Sequence, residues 1–455
     1  MKIAIPNNVK FIIDTLMLAG HEAYAVGGCV RDAILHRQPG DWDITTSAKP
    51  KEVKELFRRT IDTGIEHGTV TVMIGHEGYE VTTYRIDGEY EDNRHPKQVE
   101  FTGNLVEDLK RRDFTINAMA YNDERGIIDE FDGLSDINRR MIRCVGTPEH
   151  RFEEDALRIL RAVRFASQLQ FDIDQRTKLA IISRVALLRN ISAERIRVEL
   201  NKILVSNGSN LLKLAYEVGV TNVVLPEFDE MMNTPQCNPH HIFSVGEHTL
   251  KSVEEMNEIV KKADLDEKYH SILCWTMLLH DVGKPITKTT DAFGVDHFYK
   301  HPKESERMAK AILKRLKFDN VTIDIATKLI RYHDLRIQPD PLQVRKAARI
   351  MGIDILKLLF LVQEADILAQ NPATWEEKMD ILEKNRQIYN QMLEKGHCVS
   401  LKELEVNGKD LIELGIKPGK ALGETLESLL DHVIQIPEDN NKSILVAMVK
   451  EMHQR

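Results

Sequence analysis

Two acids one residue apart, Asp41 and Asp43, stand shortly after a glycine pair and an Arg-Asp pair in the run Val26-Gly27-Gly28-Cys29-Val30-Arg31-Asp32. The β-branched stretch Ile44-Thr45-Thr46 predicts a strand at this point. Residues i and i+2 of a strand project from one face. The two carboxylates would therefore aim at one point from positions about 7 Å apart along the backbone. With no basic side chain between them they suit Mg²⁺, which takes hard oxygen ligands and leaves the rest of its shell to substrate phosphates. Gly27 and Gly28 precede a predicted helical segment, 30–35, and would offer bare N–H groups and a helix start to a triphosphate. The combination predicts nucleotidyl transfer assisted by two metal ions. Alone, a D-x-D is usually a solvated turn and a Gly-Gly a tight loop. The weight lies in their occurring together and in this order.

Further candidates follow downstream. Glu80 opens the second strand of a predicted hairpin, 69–74 and 80–85, with its turn at His76-Glu77-Gly78. Spacing alone divides it evenly between an edge-strand charge and a third metal ligand. The run Lys110-Arg111-Arg112-Asp113-Phe114-Thr115-Ile116-Asn117 reads, on charge alone, as a solvated helix start. From residue 153 to 165 the pattern predicts one helix, on which Asp155 and Arg158 are three apart and so neighbours. The plain reading is an intrahelical ion pair. The chemical reading is base selection. Cytosine and adenine both present an amino donor beside a ring-nitrogen acceptor, which a carboxylate and a guanidinium complement. Guanine and uracil would leave buried polar groups unmatched, a strong means of rejection.

His248, the adjacent His280-Asp281 and Asp366 are similar to the H…HD…D set of the HD phosphohydrolases. Imidazole with carboxylate suits a divalent transition metal with open positions. His301 and His333 lie where some members of that group carry two further histidines, which could hold a second metal or bind phosphate. Lys284 could neutralise phosphate charge. The expected reaction is phosphate-ester hydrolysis, of the kind available at terminal or cyclic positions of RNA.

The elements that would carry these groups differ along the chain. Up to about residue 142 predicted strands and helices mix, with helices at 8–18 and at 48–57, the latter capped by Ser47. Residues 86–103 are polar, lack periodicity and predict a long loop, which in a compact domain is usually functional. Beyond 153 the pattern is helical almost throughout. The 455 residues are 42% hydrophobic, enough for more than one core, and carry a net charge of −9. That charge counts mildly against RNA binding, since phosphate contacts need only local cations. No apolar run approaches the roughly 20 residues that span a membrane. Lys2, Asn7, Asn8, Lys10 and Asp14 argue against a signal peptide. Five scattered cysteines with no C-x-x-C predict free thiols in a reducing cytoplasm.

With these motifs in place, the chain resembles the bacterial-type (class II) tRNA nucleotidyltransferases, the CCA-adding enzymes, whose class also contains poly(A) polymerases. The G-G-x-V-R-D element, the D-x-D and the string R-R-D-F-T-I-N-A carry the resemblance, and E-D-x-x-R at Glu154, Asp155 and Arg158 extends it. It implies an α+β, polymerase-β-like nucleotidyltransferase head with a mixed sheet, followed by an all-α neck, HD body and tail. The expected boundaries are 1–142, 143–225, 226–395 and 396–455. It implies that Glu80 completes the Mg²⁺ site of Asp41 and Asp43. Gly27, Gly28, Arg31, Arg111, Arg112, Asp113 and Asn117 would serve the triphosphate and ribose. Asp155 and Arg158 would read the base, with Arg161 backing them or touching phosphate. The segment 132–136 would act as a hinge, and 191–199, with Arg195 and Glu199, as mainly structural support. The loop at 86–103 would favour addition of the terminal A. Lys417, Gly419 and Lys420 would sit in a tail that grips tRNA. The implied activity is addition of C, C and A to the 3′ end of tRNA from CTP and ATP. Two alternatives stand beside it: a poly(A) polymerase, and an HD phosphohydrolase with a degenerate RNA-binding head. The oligomeric state is left open.

Overall fold

The computed structural model describes residues 2–88, 99–206, 210–237, 242–263 and 265–453. The chain forms two compact units, Met1–Pro226 and Glu227–Arg455.

The first unit opens with helix α1 (Asn7–Leu18), which buries Val9, Ile12, Ile13 and Leu16. That spacing makes a single apolar stripe. It precedes a seven-stranded mixed sheet built from β1 (Ala23–Val26), β2 (Ile44–Thr46), β3 (Thr60–Gly64), β4 (Thr69–Ile74), β5 (Glu77–Thr83), β8 (Met119–Asn122) and β9 (Gly126–Asp129), in the order β3-β4-β5-β2-β1-β8-β9. β2 runs parallel to β5, and the other pairs are antiparallel. Every residue of β1 is buried, the unalternated pattern of a strand covered on both faces. Between β1 and helix α2 (Gly28–Ile34), Gly27 takes φ 85°, a conformation that favours glycine. The Asp43 carbonyl still accepts from the Val26 N–H at 3.0 Å, so the D-x-D lies where β1 and β2 end side by side.

Three local expectations are corrected. The hairpin turn is Gly75-His76, closed by the pair Ile74↔Glu77, and not His76-Glu77-Gly78. Gly75 takes φ 63°, the position that a two-residue turn reserves for glycine. Glu80 therefore lies within β5, opposite Thr71, rather than at its start. Helix α3 (Pro50–Leu56) begins later than predicted and is capped at Lys49, whose N–H donates to Glu52 at 2.7 Å. Ser47 is not its cap, because its Oγ accepts from the Glu22 N–H instead. The segment read as structureless, 86–103, begins and ends as a ladder of β6 (Arg85–Asp87) with β7 (Val99–Phe101). Residues 89–98, the middle of the predicted loop, lie outside the described residues.

After β7 come α4 (Leu105–Lys110), α5 (Gly133–Arg139), α6 (Pro148–Glu154), α7 (Leu157–Leu169), α8 (Gln175–Arg184) and α9 (Ala193–Leu204). The continuous helix predicted over 153–165 is not formed. Asp155, at φ −138° and ψ 102°, ends α6, and its Oδ1 accepts the Leu157 N–H at 3.0 Å to start α7. Aspartate offers the backbone this alternative to helical bonding more readily than most residues.

Among its described residues the second unit is helical, with one two-stranded pair, Thr289–Thr290 with Asp296–His297. The helix Glu267–Leu279 is buried without a break from Ile272 to Leu279, as a helix apolar all round must be. Its neighbours Val245–Ala263, Asn320–Tyr332 and Ile353–Leu368 pack against it. At the C-terminal end the helices Gly408–Glu413 and Lys420–Gln435 share a core of Leu411, Leu429, Leu430, Val433 and Leu445. Among the described residues no helix is long and apolar enough to cross a membrane.

Candidate active site and a second cluster of metal-type ligands

Parallel pairing of β2 with β5, in the register Ile44↔Val81, sets Asp43 and Glu80 side by side as the residues just before that pair. Asp41, Asp43 and Glu80 line one cavity of about 970 Å³, together with Trp42, Gly78, Tyr79 and Asn8. None of the three carboxylates has a salt-bridge partner among the described residues. Partial burial raises the Asp43 carboxyl above the usual range; Arg112 opposes the shift and Asp41 adds to it. Burial likewise raises Glu80, helped by the charges of Asp43 and Asp41. Three acids that repel one another across an open cavity form a site that favours a cation.

The cationic side is built around the glycine turn. Arg31 forks onto Asp32 at 3.0 and 2.9 Å and donates to Asn117 Oδ1 at 2.5 Å. Asn117 donates in turn to Asp113 Oδ1 at 3.0 Å, and Arg161 grips Asp113 Oδ2 at 2.6 Å. Burial alone would raise the Asp113 carboxyl, but the Arg161 guanidinium and the Asn117 hydrogen bond hold it well below the usual carboxylate range. Arg111 binds the fully buried Asp108 at 2.8 and 2.9 Å, and Thr45 also donates to that acid. Arg112 crosses the turn so closely that a Cβ at Gly27 would meet its Nη1 at 2.8 Å. Asp32 entered the sequence reading only within the Arg-Asp pair, and Thr45 only within the predicted strand, neither with a role of its own. Asp108 was not singled out, and only its i,i+3 spacing to Arg111 could have flagged it.

Asp155 and Arg158 do not share one helix as predicted: Asp155 ends α6, and Arg158 lies in α7. Asp155 Oδ2 accepts from Arg195 Nη2 at 2.7 Å. Arg158 donates to Glu154 Oε2 at 2.5 Å, to the Arg151 carbonyl at 3.1 Å and to the Arg111 carbonyl at 2.9 Å. The last bond places Arg158 beside the Arg111–Asp113 segment. Arg195, read from sequence as support, is thus the direct partner of a predicted base reader. Arg31, Arg161 and Arg164 stand around the Phe165 ring at 4.9, 5.3 and 4.2 Å, and Arg164 pairs with Glu199 at 3.1 Å.

In the second unit all six predicted ligands meet. His248 Nε2 is 2.9 Å from Asp366 and 3.2 Å from His280 Nε2. Asp281 Oδ2 lies 3.2 Å from His280, and its Oδ1 lies 3.3 Å from His301 and 3.7 Å from His333. Each imidazole turns Nδ1 to a backbone carbonyl: Ala369 for His248, Met277 for His280, Phe298 for His301 and Ile330 for His333. A metal-bound histidine is oriented by a partner of this kind on its other nitrogen. Lys284 Nζ is 2.7 Å from Asp281 Oδ2 and 2.9 Å from Gln236 Oε1. At the C-terminal end Lys417, Gly419 and Lys420 are exposed, and Gly419 takes φ 130°.

Residues 23–143 match the family model for the poly A polymerase head domain. Residues 170–232 match a probable RNA and SrmB-binding site of polymerase A, and 298–449 a putative second domain of tRNA nucleotidyltransferases. The chain is similar to a CCA-adding enzyme of Enterococcus faecalis, 33% identical over 99% of this chain and 98% of that protein. It is similar to another of Ligilactobacillus salivarius, 36% identical over 97% and 95%. Among solved structures, the CCA-adding enzyme of Bacillus stearothermophilus in complex with CTP superposes with a TM-score of 0.72. It is 30% identical, with 98% of this chain and 96% of that one covered. A mixed-sheet head, a helical remainder and near-full-length identity above 30% lead to one conclusion: the chain belongs to the CCA-adding enzymes, nucleotidyltransferases of the bacterial class.

Proposed function

We propose that the chain adds C, C and A in turn to the 3′ end of tRNA, from CTP and ATP and without a nucleic-acid template. The observation that carries this reading is the meeting of Asp41, Asp43 and Glu80, un-neutralised, over one cavity of nucleotide size. The donor set fits a hard divalent cation, being all oxygen with no competing base. Mg²⁺ held by these acids, two ions in the full complex, would supply Lewis acidity toward the triphosphate and the attacking hydroxyl. In the transfer the terminal 3′ oxygen of the RNA bonds to the α-phosphorus. The bond from that phosphorus to pyrophosphate breaks, and the hydroxyl proton passes to solvent.

The chain's own part is to bind and orient. The Gly27-Gly28 turn offers the Gly28 N–H, that of Gly27 being held by the Met119 carbonyl at 3.1 Å, with Arg112 beside it and Arg111 next along the chain, where a triphosphate needs positive charge. Arg31, Asn117, Asp113 and Arg161 form one hydrogen-bonded relay that fixes Asn117 for a sugar hydroxyl. Asp155 accepts from the amino group of cytosine or adenine and Arg158 donates to the ring nitrogen, Glu154 balancing its charge. In the remainder, we retain head, neck, body and tail at 1–142, 143–225, 226–395 and 396–455, with Lys417, Gly419 and Lys420 contacting tRNA. The test is incorporation of labelled CTP and ATP into tRNA trimmed to its discriminator base. Asp41→Ala should abolish it while tRNA binding persists, and normal incorporation by that variant would refute the assignment. Extension of an oligo(A) primer with ATP alone, and none of trimmed tRNA, would favour a poly(A) polymerase.

A second reading rests on the cluster in the body. We propose that His248, His280, Asp281 and Asp366 hold a divalent transition metal and that this centre hydrolyses phosphate esters. A cleft of about 860 Å³ reaches Asp281 and Asp366 of this set and is lined by Lys284, Arg336 and Lys378, cations suited to a phosphate. Release of phosphate from p-nitrophenyl phosphate, lost in Asp281→Asn, tests it.

A further inference from the structure

Behind the glycine turn of the head one carboxylate faces two guanidinium groups. Asp108, on α4 and 0% exposed, has Arg111 and Arg112 three and four positions after it. Burial would raise its carboxyl, but the charges of Arg111 and Arg112 hold it below the usual carboxylate range. A single negative charge therefore stands against two positive ones, and it does not serve them alike. Arg111 gives Nε and Nη2 to Oδ1 at 2.9 and 2.8 Å. The Arg85 N–H also reaches Oδ1, at 3.4 Å, and the Thr45 hydroxyl donates to Oδ2 at 3.1 Å. Arg112 Nη2 stays 3.7 Å from Oδ2, beyond hydrogen-bond length, and its buried Nε has no hydrogen-bond partner. Its Nη1 lies instead against Gly27, 2.8 Å from where a Cβ would stand. The carboxylate is filled by Arg111 and Thr45, and the charge of Arg112 is turned toward the glycine turn.

We propose that Arg111 is a positioning residue rather than a second phosphate contact: by occupying Asp108 it keeps Arg112 from closing onto that acid and leaves it for the triphosphate. A buried carboxylate stripped of its partner is costly, so it takes the nearest cation. With Arg111 absent, a small side-chain movement brings Arg112 to hydrogen-bond length from Oδ2 and draws it off the glycine turn. Thr45 ties the same acid to β2, two residues after Asp43, so the brace also sets the place of the cation relative to the metal ligands. This inference rests on the nucleotidyl-transfer reading of the head and divides its two adjacent arginines between a guard and a contact.

The test is KM for CTP and for ATP in incorporation into trimmed tRNA by the full chain, with kcat read separately. Arg111→Gln should raise both KM values about tenfold, with kcat within about twofold and selection against UTP unchanged. Adding Asp108→Asn to that variant should bring KM back to within about threefold of the starting chain, because no acid is left to capture Arg112. The Asn-Gln pair carries no unpaired buried charge, and thermal melting establishes that each variant folds. Arg111→Lys, which still pairs with Asp108, should keep KM within about threefold. Arg112→Gln should raise KM on the order of 10²-fold, and Asp108→Asn should not restore it. Inhibition by inorganic tripolyphosphate, which carries no base or sugar, should weaken in the same order. A double variant as poor as Arg111→Gln, or poorer, would mean that Arg111 meets the phosphates itself and would overturn the guard while transfer stands. An unchanged KM in Arg111→Gln would overturn it equally. No incorporation by the unaltered chain would overturn transfer and guard together.

Discussion

The two polar centres of the chain are built in opposite ways. In the head, Asp41, Asp43 and Glu80 are open to the cavity, offer only oxygen and have no salt-bridge partner among the described residues. In the body, His248, His280 and Asp281 are at most 1% exposed, mix nitrogen with oxygen, and have their orientations fixed by backbone carbonyls. An open all-oxygen site suits an ion that arrives and leaves with a nucleotide's phosphates. A closed, pre-oriented imidazole site suits an ion that stays. On the proposed reading, ligand type would keep two chemistries apart in one chain.

The sharpest way to break this contrast is to remove one ligand from each side. Asp43→Ala should reduce CMP incorporation into trimmed tRNA on the order of 10³-fold or more, with phosphate-ester hydrolysis unchanged. Asp281→Asn should do the reverse. Loss of both activities in either variant would mean the centres are not independent. The next effect concerns metal removal. After brief chelation, Mg²⁺ alone should restore nucleotide addition in full, whereas hydrolysis should return only with a transition metal such as Co²⁺. Recovery of hydrolysis with Mg²⁺ alone would contradict the assigned ligand preference.

Base choice should respond less steeply. Arg158→Ala should lower discrimination of CTP over UTP by roughly 10²-fold, measured as a ratio of kcat/KM values. Arg195→Gln should weaken discrimination by a smaller factor, with partial rescue in Arg195→Lys, because it acts through the carboxylate of Asp155. Unchanged ratios in both variants would remove the protein template. The smallest effect is in pH. Asp43 and Glu80 have raised pKa values in the folded chain, so they take up protons sooner as pH falls than ordinary carboxylates do. Metal affinity of the head should fall as pH drops through the raised values, since the ligands bind only when deprotonated. The same sign makes their charge a burden on the metal-free fold at neutral pH. Glu80→Gln should therefore raise its melting temperature by on the order of 1 °C, the group being largely exposed and screened.

Much of this was legible in the sequence because it depends on local spacing. The D-x-D, the glycine turn and the His-Asp doublet are read from residues a few positions apart, whereas the mixed sheet was implied by the family resemblance. The misreadings occurred where a side chain chose a partner far along the chain or broke a local pattern. Ser47 caps no helix because Glu22 claims its hydroxyl. Asp155 leaves the predicted helix and meets Arg195, 40 residues on. Arg161 and Asp113 are 48 apart, and no periodicity joins them. The turn at Gly75 was visible as a glycine, but the register that selects it comes from pairing across the whole hairpin.

The central claim is that Asp41 and Asp43, just before β2, and Glu80, within the neighbouring β5, hold the nucleotide's metal. A crystal structure of the chain with CTP and Mg²⁺ tests it most directly. The account predicts an ion about 2.0–2.2 Å from carboxylate oxygens of Asp41 and Asp43, shared with the triphosphate. It also predicts the cytosine edge against Asp155 and Arg158. A triphosphate bound with its metal away from both aspartates would contradict it.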